Sequence, residues 1–141
     1  MAHGMSKALG EKGKGKVVGV IGDSTFLHSG ITPLMNMAYN NSDALIIILD
    51  NSTTAMTGMQ EHPGTGYTLM GKEAKKVNLE VLVSALGIEN IKVIDPNNIK
   101  ETQSAIKEEL ANSGPSVIIA QRPCALFKRA NVKSQPPLTV D

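Results

Sequence analysis

Cysteine is nearly absent from this sequence: Cys124 is the single one in 141 residues. An internal disulfide framework is excluded, and so is a metal or iron–sulfur site built from several thiolates. Tryptophan is missing, and two phenylalanines and two tyrosines make up the aromatic complement. The short basic runs Lys12, Lys14, Lys16 and Lys128, Arg129, Lys133 therefore lack the aromatic interleaving of a nucleic-acid reader. Charge of one sign is lacking too. Lys and Arg number 14 against 13 Asp and Glu, and a net charge of +1 supplies no field for capturing nucleic acid or an anionic membrane. The longest apolar run, Ala44 to Leu49, falls far short of the ~20 residues that span a bilayer. The first residues, MAHGMSKALG, lack the basic-then-apolar order of a secretory signal. What remains is a soluble, cytoplasmic protein that contacts neither nucleic acid nor membrane. Its hydrophobic fraction of 41% supplies a core for one domain.

Residues 2–9 read as a short helix that Gly10 stops, and 10–16 as a Gly/Lys turn. Residues 17–21, VVGVI, are apolar on both sides and β-branched, which predicts a buried parallel strand. A helix is expected from Thr32-Pro33, or from nearer Ser29, with Ile31, Leu34, Met35 and Ala38 on one face. Residues 44–49, ALIIIL, predict the central strand. Residues 52–71 form a long glycine-rich loop, expected to be poorly ordered or displaced when no ligand is bound. A helix over 72–86 with Ala74, Val77, Val81 and Ala85 inward, a strand over 91–94, a helix capped by Asn98 and Glu101 with Ile99, Thr102, Ile106 and Leu110 inward, and a strand over 117–120 complete the pattern. Crossovers this long imply parallel neighbours, so the expected fold is α/β: a three-layer, doubly wound, mostly parallel sheet. Residues 1–130 form the domain, and 131–141, with Pro136-Pro137, read as a linker.

Ligands of such sheets bind beyond the carboxyl ends of the strands. Those ends are Gly22-Asp23-Ser24-Thr25, Asp50-Asn51-Ser52-Thr53, Asp95, and Gln121-Arg122-Pro123-Cys124. One strand-helix-strand unit separates Asp23 from Asn51, so the two can meet at one sheet edge. Each offers a hard oxygen, as does the carbonyl of Thr53, and Mg²⁺ takes such ligands together with phosphate or water. Residue type alone also admits the opposite reading, in which both are ordinary turn residues after a strand. No G-x-G-x-x-G follows a strand, and Gly13-Lys14-Gly15-Lys16 precedes one, which excludes a phosphate-binding P-loop there.

GDSTFLHSG, an interval of 17 residues and then ILDNSTTAMTG resemble the thiamine-diphosphate-binding motif. In wording, with the later QEHPGTG and QRPCAL, they are most similar to the alpha subunits of indolepyruvate ferredoxin oxidoreductases. The general motif is Gly-Asp-Gly followed by Asn-Asn; Ser24 and Asp50 depart from it in the manner of that branch. The resemblance covers nearly the whole chain and implies a thiamine-diphosphate-binding fold. It makes Asp23 and Asn51 side-chain ligands of Mg²⁺, with Thr53 contributing its carbonyl. Gly22, Ser24 and Thr25 line the diphosphate. It implies CoA-dependent oxidative decarboxylation of an aryl-2-oxoacid such as indolepyruvate, with electrons passing to ferredoxin. It further implies 4Fe-4S clusters and an activating glutamate outside this chain, a truncated domain inactive in isolation, and assembly into a homo- or hetero-oligomer.

His28 follows the first strand closely and is the candidate catalytic side chain, facing a substrate carboxylate or a proton in transit; the alternative is a backbone-bonded histidine at a helix start. His62 reads as a plain loop histidine, with the lining of a substrate channel as the alternative; His3 reads as a surface residue, Cys124 as a buried small hydrophobe, and Met35, Met37, Met56, Met59 and Met70 as packing, with Met56 and Met59 alternatively flanking the thiazolium ring. Arg122 pairs with Asp95, touches a phosphate-bearing ligand, or does neither. Two other functions stay open: a non-catalytic cofactor-binding or subunit-contact module, and a subunit of a pyruvate or 2-oxoglutarate ferredoxin oxidoreductase.

Overall fold

The computed structural model describes residues 1–126, so the linker expected over 131–141 lies outside the described residues. Helix α1 (Ala2–Leu9) ends at Gly10, and a 3-10 turn over Gly10–Gly13 leads to strand β1 (Val18–Gly22). Helical backbone then begins at once, at α2 (Asp23–Thr25), and passes through a π-helical turn at Phe26–Gly30 into α3 (Ile31–Tyr39). The expected start at Thr32-Pro33 or Ser29 is therefore too late. Proline suits a first helical turn, but it also lies within longer helical runs where the preceding turn widens, and the π turn here is immediately upstream. Gly30 permits that geometry: a Cβ there would lie 2.6 Å from the ring of Phe26, which is buried in the core.

Strand β2 (Leu45–Asp50) is followed by a long connection with one 3-10 turn, Ala55–Thr57, before α4 (Leu79–Ala85). Strand β3 (Asn90–Ile94), helix α5 (Ile99–Ala111) and strand β4 (Ser116–Gln121) follow. The four strands are parallel, in the order β1-β2-β4-β3. Each expected strand is present within one residue or so of its predicted bounds, but β1 is an edge strand with Val18 and Val20 exposed, not the buried strand its apolar run predicts, because β2 alone pairs with it.

The helix expected over 72–86 covers only its second half. Residues 66–77 fold back instead: Thr68 N–H donates to Lys72 O, Ala74 N–H to Gly66 O, and Val77 N–H to Pro63 O. Asn78 then caps α4, its side-chain oxygen accepting the Val81 N–H at 3.1 Å. The later start changes the inward face to Leu79 and Val83, with Leu82 and Leu86 packed beside them, and leaves Val81 exposed. In α5 the Asn98–Glu101 capping box forms as expected. Its inward face is Ala105, Ile106, Glu109 and Leu110, whereas Ile99 at the first turn is exposed.

Alternation along the strands divides the core into two layers. Ile48, Val117 and Ile119 face α3 and α4 through Leu34, Met37, Leu79 and Val83. Leu45, Ile118 and Ala120 face α5 through Ala105, Ile106 and Leu110. Helices on both faces hold the sheet, and the loops after β1, β2 and β4 emerge at one end. No helix among the described residues is long and apolar enough to cross a membrane.

Candidate functional site

Register brings the first two strand ends together. Gly22 of β1 pairs with Leu49 of β2, so Asp23 and Asp50 leave the sheet side by side. Both carboxylates are buried. Asp23 Oδ1 accepts the Ser24 N–H at 2.7 Å. Its Oδ2 and Asp50 Oδ1 share the Ser52 N–H, at 3.1 and 3.0 Å. Ser52 reaches them with φ of 60°, in the left-handed region where a serine is strained. A second tie between the two loops runs from Thr54 Oγ1, which donates to Ser24 Oγ at 3.1 Å. Asp50 Oδ2 also accepts from Gln121 Nε2 at 2.7 Å, and Arg122 N–H donates to the Asp50 carbonyl, so β4 braces the same corner.

Two buried carboxylates on one shared N–H make a strongly electronegative corner. Burial pushes the Asp23 carboxyl above its ordinary value of 3.8, and Asp50 adds to that, while the Ser24 N–H and His62 pull it down. No lysine or arginine is paired with either carboxylate among the described residues. The groups at this corner are hard oxygens, the two carboxylates and the hydroxyls of Ser24 and Thr54, and Asn51 and buried Thr53 flank Ser52 on the same loop. That chemistry fits a divalent cation such as Mg²⁺. Among the described residues no three His, Cys, Asp or Glu side chains form a metal cluster on their own, so such an ion would need amide, carbonyl or ligand oxygens as well.

The other candidates are placed unevenly. Asn51 Oδ1 turns onto its own loop and accepts the Thr53 N–H at 3.2 Å; the bridge from this loop to Asp23 is made by Ser52. Thr25 is exposed, and its carbonyl accepts from Ser29 Oγ at 3.1 Å. His28 lies exposed on the π-helical turn. Met56, on the 3-10 turn after β2, is 97% exposed, and Met70 and Met35 are also exposed, so packing does not explain these three.

Several side chains depart from expectation. His62 is buried, with Nε2 3.3 Å from Asp23 Oδ2, because the loop after β2 folds back across the sheet end. Spacing 39 residues past Asp23 carried no signal of that contact. The only hint was a histidine set beside Pro63 and Gly64, residues that shape a tight turn. His3 is half-buried and bonded to Ser42 Oγ at 2.7 Å. Cys124 is half-buried, since its N–H extends the β4–β2 pairing to Asn51 O at the sheet end. Arg122, by contrast, takes the first of its expected alternatives and pairs with Asp95 at 2.7 Å. Beside the corner, a cavity of ≈ 410 Å³ opens over the ends of β2 and β4, lined among others by Asp50, His62, Lys76, Asn78 and Gln121.

The chain is similar to known proteins along most of its length. Subunit IorA of indolepyruvate oxidoreductase from Archaeoglobus fulgidus is 43% identical over 124 residues, covering 88% of this chain and 20% of that one. The IorA subunit of Pyrococcus abyssi is 44% identical over 138 residues, covering 91% and 21%. The chain thus spans about a fifth of the length of these relatives. The structure of a 2-oxoglutarate:ferredoxin oxidoreductase from Magnetococcus marinus shares the fold, with a TM-score of 0.68 at 18% identity over 95% of this chain and 53% of that one. The model of the thiamine pyrophosphate enzymes' C-terminal TPP binding domain matches residues 1–120, and the chain belongs to that family.

Proposed function

We propose that this chain is the Mg²⁺- and thiamine-diphosphate-holding part of a 2-oxoacid:ferredoxin oxidoreductase acting on an aryl-2-oxoacid such as indolepyruvate. The observation that carries the reading is the buried pairing of Asp23 with Asp50 on the Ser52 N–H, at the adjoining ends of β1 and β2. Identity of 43–44% to IorA subunits supports the indolepyruvate branch over the 2-oxoglutarate branch, where the shared fold comes with 18% identity.

In this reading Asp23 and Asn51 hold the cation through side-chain oxygens, and Thr53 through its carbonyl. Asn51 Oδ1 keeps a second lone pair beyond the one given to the Thr53 N–H. Gly22, Ser24 and Thr25 line the diphosphate, and exposed Met56 covers the thiazolium side. The bound cofactor supplies the carbanion chemistry of decarboxylation. The chain's own part is to bind, orient and neutralise charge. His28, exposed five residues past Asp23, meets the substrate carboxylate or a proton in transit. Coenzyme A, ferredoxin, 4Fe-4S clusters and a subunit assembly in the cytoplasm belong to the complete enzyme. The β1 edge, where Val18 and Val20 are exposed, supports a place within an assembly.

Calorimetric titration of thiamine diphosphate into the assembled enzyme, with and without Mg²⁺, tests the reading. Binding should require Mg²⁺ and weaken by more than about tenfold in Asp23→Ala, since even groups outside the ligand shell act on that scale. Equal affinity in wild type and Asp23→Ala would remove the cation site.

A further inference from the structure

His62 carries a buried polar atom without an aligned partner. Among the described residues, only His62 Nε2 and Ser116 Oγ are in that condition. The ring is 5% exposed. Its Nδ1 accepts the Gly64 N–H at 3.1 Å, which assigns the ring hydrogen to Nε2. Nε2 then faces Asp23 Oδ2 at 3.3 Å, close but short of hydrogen-bond alignment. A buried donor that lacks its bond is costly, and such exceptions call for a functional explanation.

The ring is held where it is from several sides. A Cβ at Gly64 would lie 3.0 Å from His62 Cε1, so glycine lets the backbone close against the ring. The His62 carbonyl accepts from both Thr65 N–H and Thr65 Oγ1, at 2.9 Å each. Next along, the Pro63 carbonyl accepts the Val77 N–H just ahead of α4. The loop is thereby pinned to the segment that leads into α4, and the imidazole is presented to Asp23 from a firm base.

We propose that His62 is a positioning residue for Asp23: its Nε2–H takes one lone pair of Oδ2 and fixes the orientation in which the carboxylate meets a divalent cation. This rests on the reading of Asp23 as a cation ligand and deepens it. A neutral donor suits the task, because lysine or arginine there would cancel the negative charge that attracts the ion. Imidazole orients the carboxylate and leaves both charges of the Asp23–Asp50 corner in place.

The test uses His62→Asn, His62→Gln and Asp23→Ala in the assembled enzyme. The readouts are the Mg²⁺ concentration for half-maximal thiamine diphosphate binding by calorimetry, and the thermal unfolding midpoint. Asparagine keeps an acceptor for the Gly64 N–H but loses the donor toward Asp23; glutamine places an amide nitrogen near the Nε2 position. His62→Asn should raise the Mg²⁺ requirement by about tenfold or more. His62→Gln should retain the wild-type requirement, and the two variants should unfold at similar temperatures. An unchanged requirement in His62→Asn, or an equal rise in both His62 variants, overturns the proposal. Asp23→Ala separates the two readings: if it keeps the wild-type requirement, the cation site itself fails. If it raises the requirement while His62→Asn does not, only the role of His62 fails.

Discussion

Asp23 and Asp50 lie against one shared donor, yet their partners divide their roles. Asp50 is bonded to Gln121 and Ser52 and ties β4 to β2; Asp23 is bonded to two backbone N–H groups and faces the loop that carries His62. Asp50→Ala should therefore act mainly on stability. It removes the acceptor of the exposed Gln121 amide and one acceptor of the Ser52 N–H, a loss of about 1 kcal/mol in urea unfolding. It should weaken cofactor affinity less than Asp23→Ala. Asp23 has a pH signature of its own. Its folded-state pKa lies above 3.8, first because of burial, so the folded cation-free chain holds that proton more tightly than the unfolded chain. Between 3.8 and the raised value the native state binds more protons, so its stability falls as pH rises through that window and stays lower above it. The stability of wild type relative to Asp23→Ala, from urea midpoints without metal, should fall as pH is raised from about 4 to about 7. A difference flat with pH would refute the burial argument.

At the scale of elements, the connection from β2 to α4 matters most. It is long, carries three of the seven positive-φ glycines, and places His62 against β1's end. Its order is tied to α4 through the Asn78 cap. Asn78→Ala removes the acceptor for the Val81 N–H and should lower stability by about 1 kcal/mol. Thermal or urea unfolding measures that directly. Residues 52–71 rest on few buried apolar side chains, so amide exchange there should slow when Mg²⁺ and thiamine diphosphate are added together. Mass spectrometry of peptides covering 52–71 reads the change. Equal exchange with and without the pair would argue against contact of this loop with the cofactor.

Over the whole molecule, the sheet transmits stability to the site unevenly. Ile48 of β2 is 0% exposed between α3 and β4, two residues before Asp50. Val20 of β1, an edge strand, is 62% exposed. Ile48→Ala should destabilise the chain by about 2–5 kcal/mol. Val20→Ala should change it by less than about 1 kcal/mol, since little apolar surface leaves water at that site. Denaturant midpoints on the two variants compare them. A loss at Val20 as large as that at Ile48 would mean that the edge is covered in solution.

The four strands, the parallel α/β arrangement and the pairing of Asp23's strand with Asn51's were legible from apolar runs and crossover lengths. Burial acts on stretches of five or six residues, and those stretches carry their pattern in order. Local chemistry also announced the Asn98–Glu101 cap, whose partners are three positions apart. Helix boundaries were less legible. Thr32-Pro33 offered a plausible start that continuity from β1 overrode, and the periodicity of 72–86 extended into a segment that backbone bonds to Gly66 and Pro63 hold outside the helix. The His62–Asp23 approach was decided by tertiary structure, as was the sharing of Ser52 N–H between two carboxylates. Both depend on where a long loop returns and on a left-handed serine. Neither quantity is set by the spacing of residues along the chain, because a glycine-rich connection admits many return paths and only packing against the finished sheet selects one.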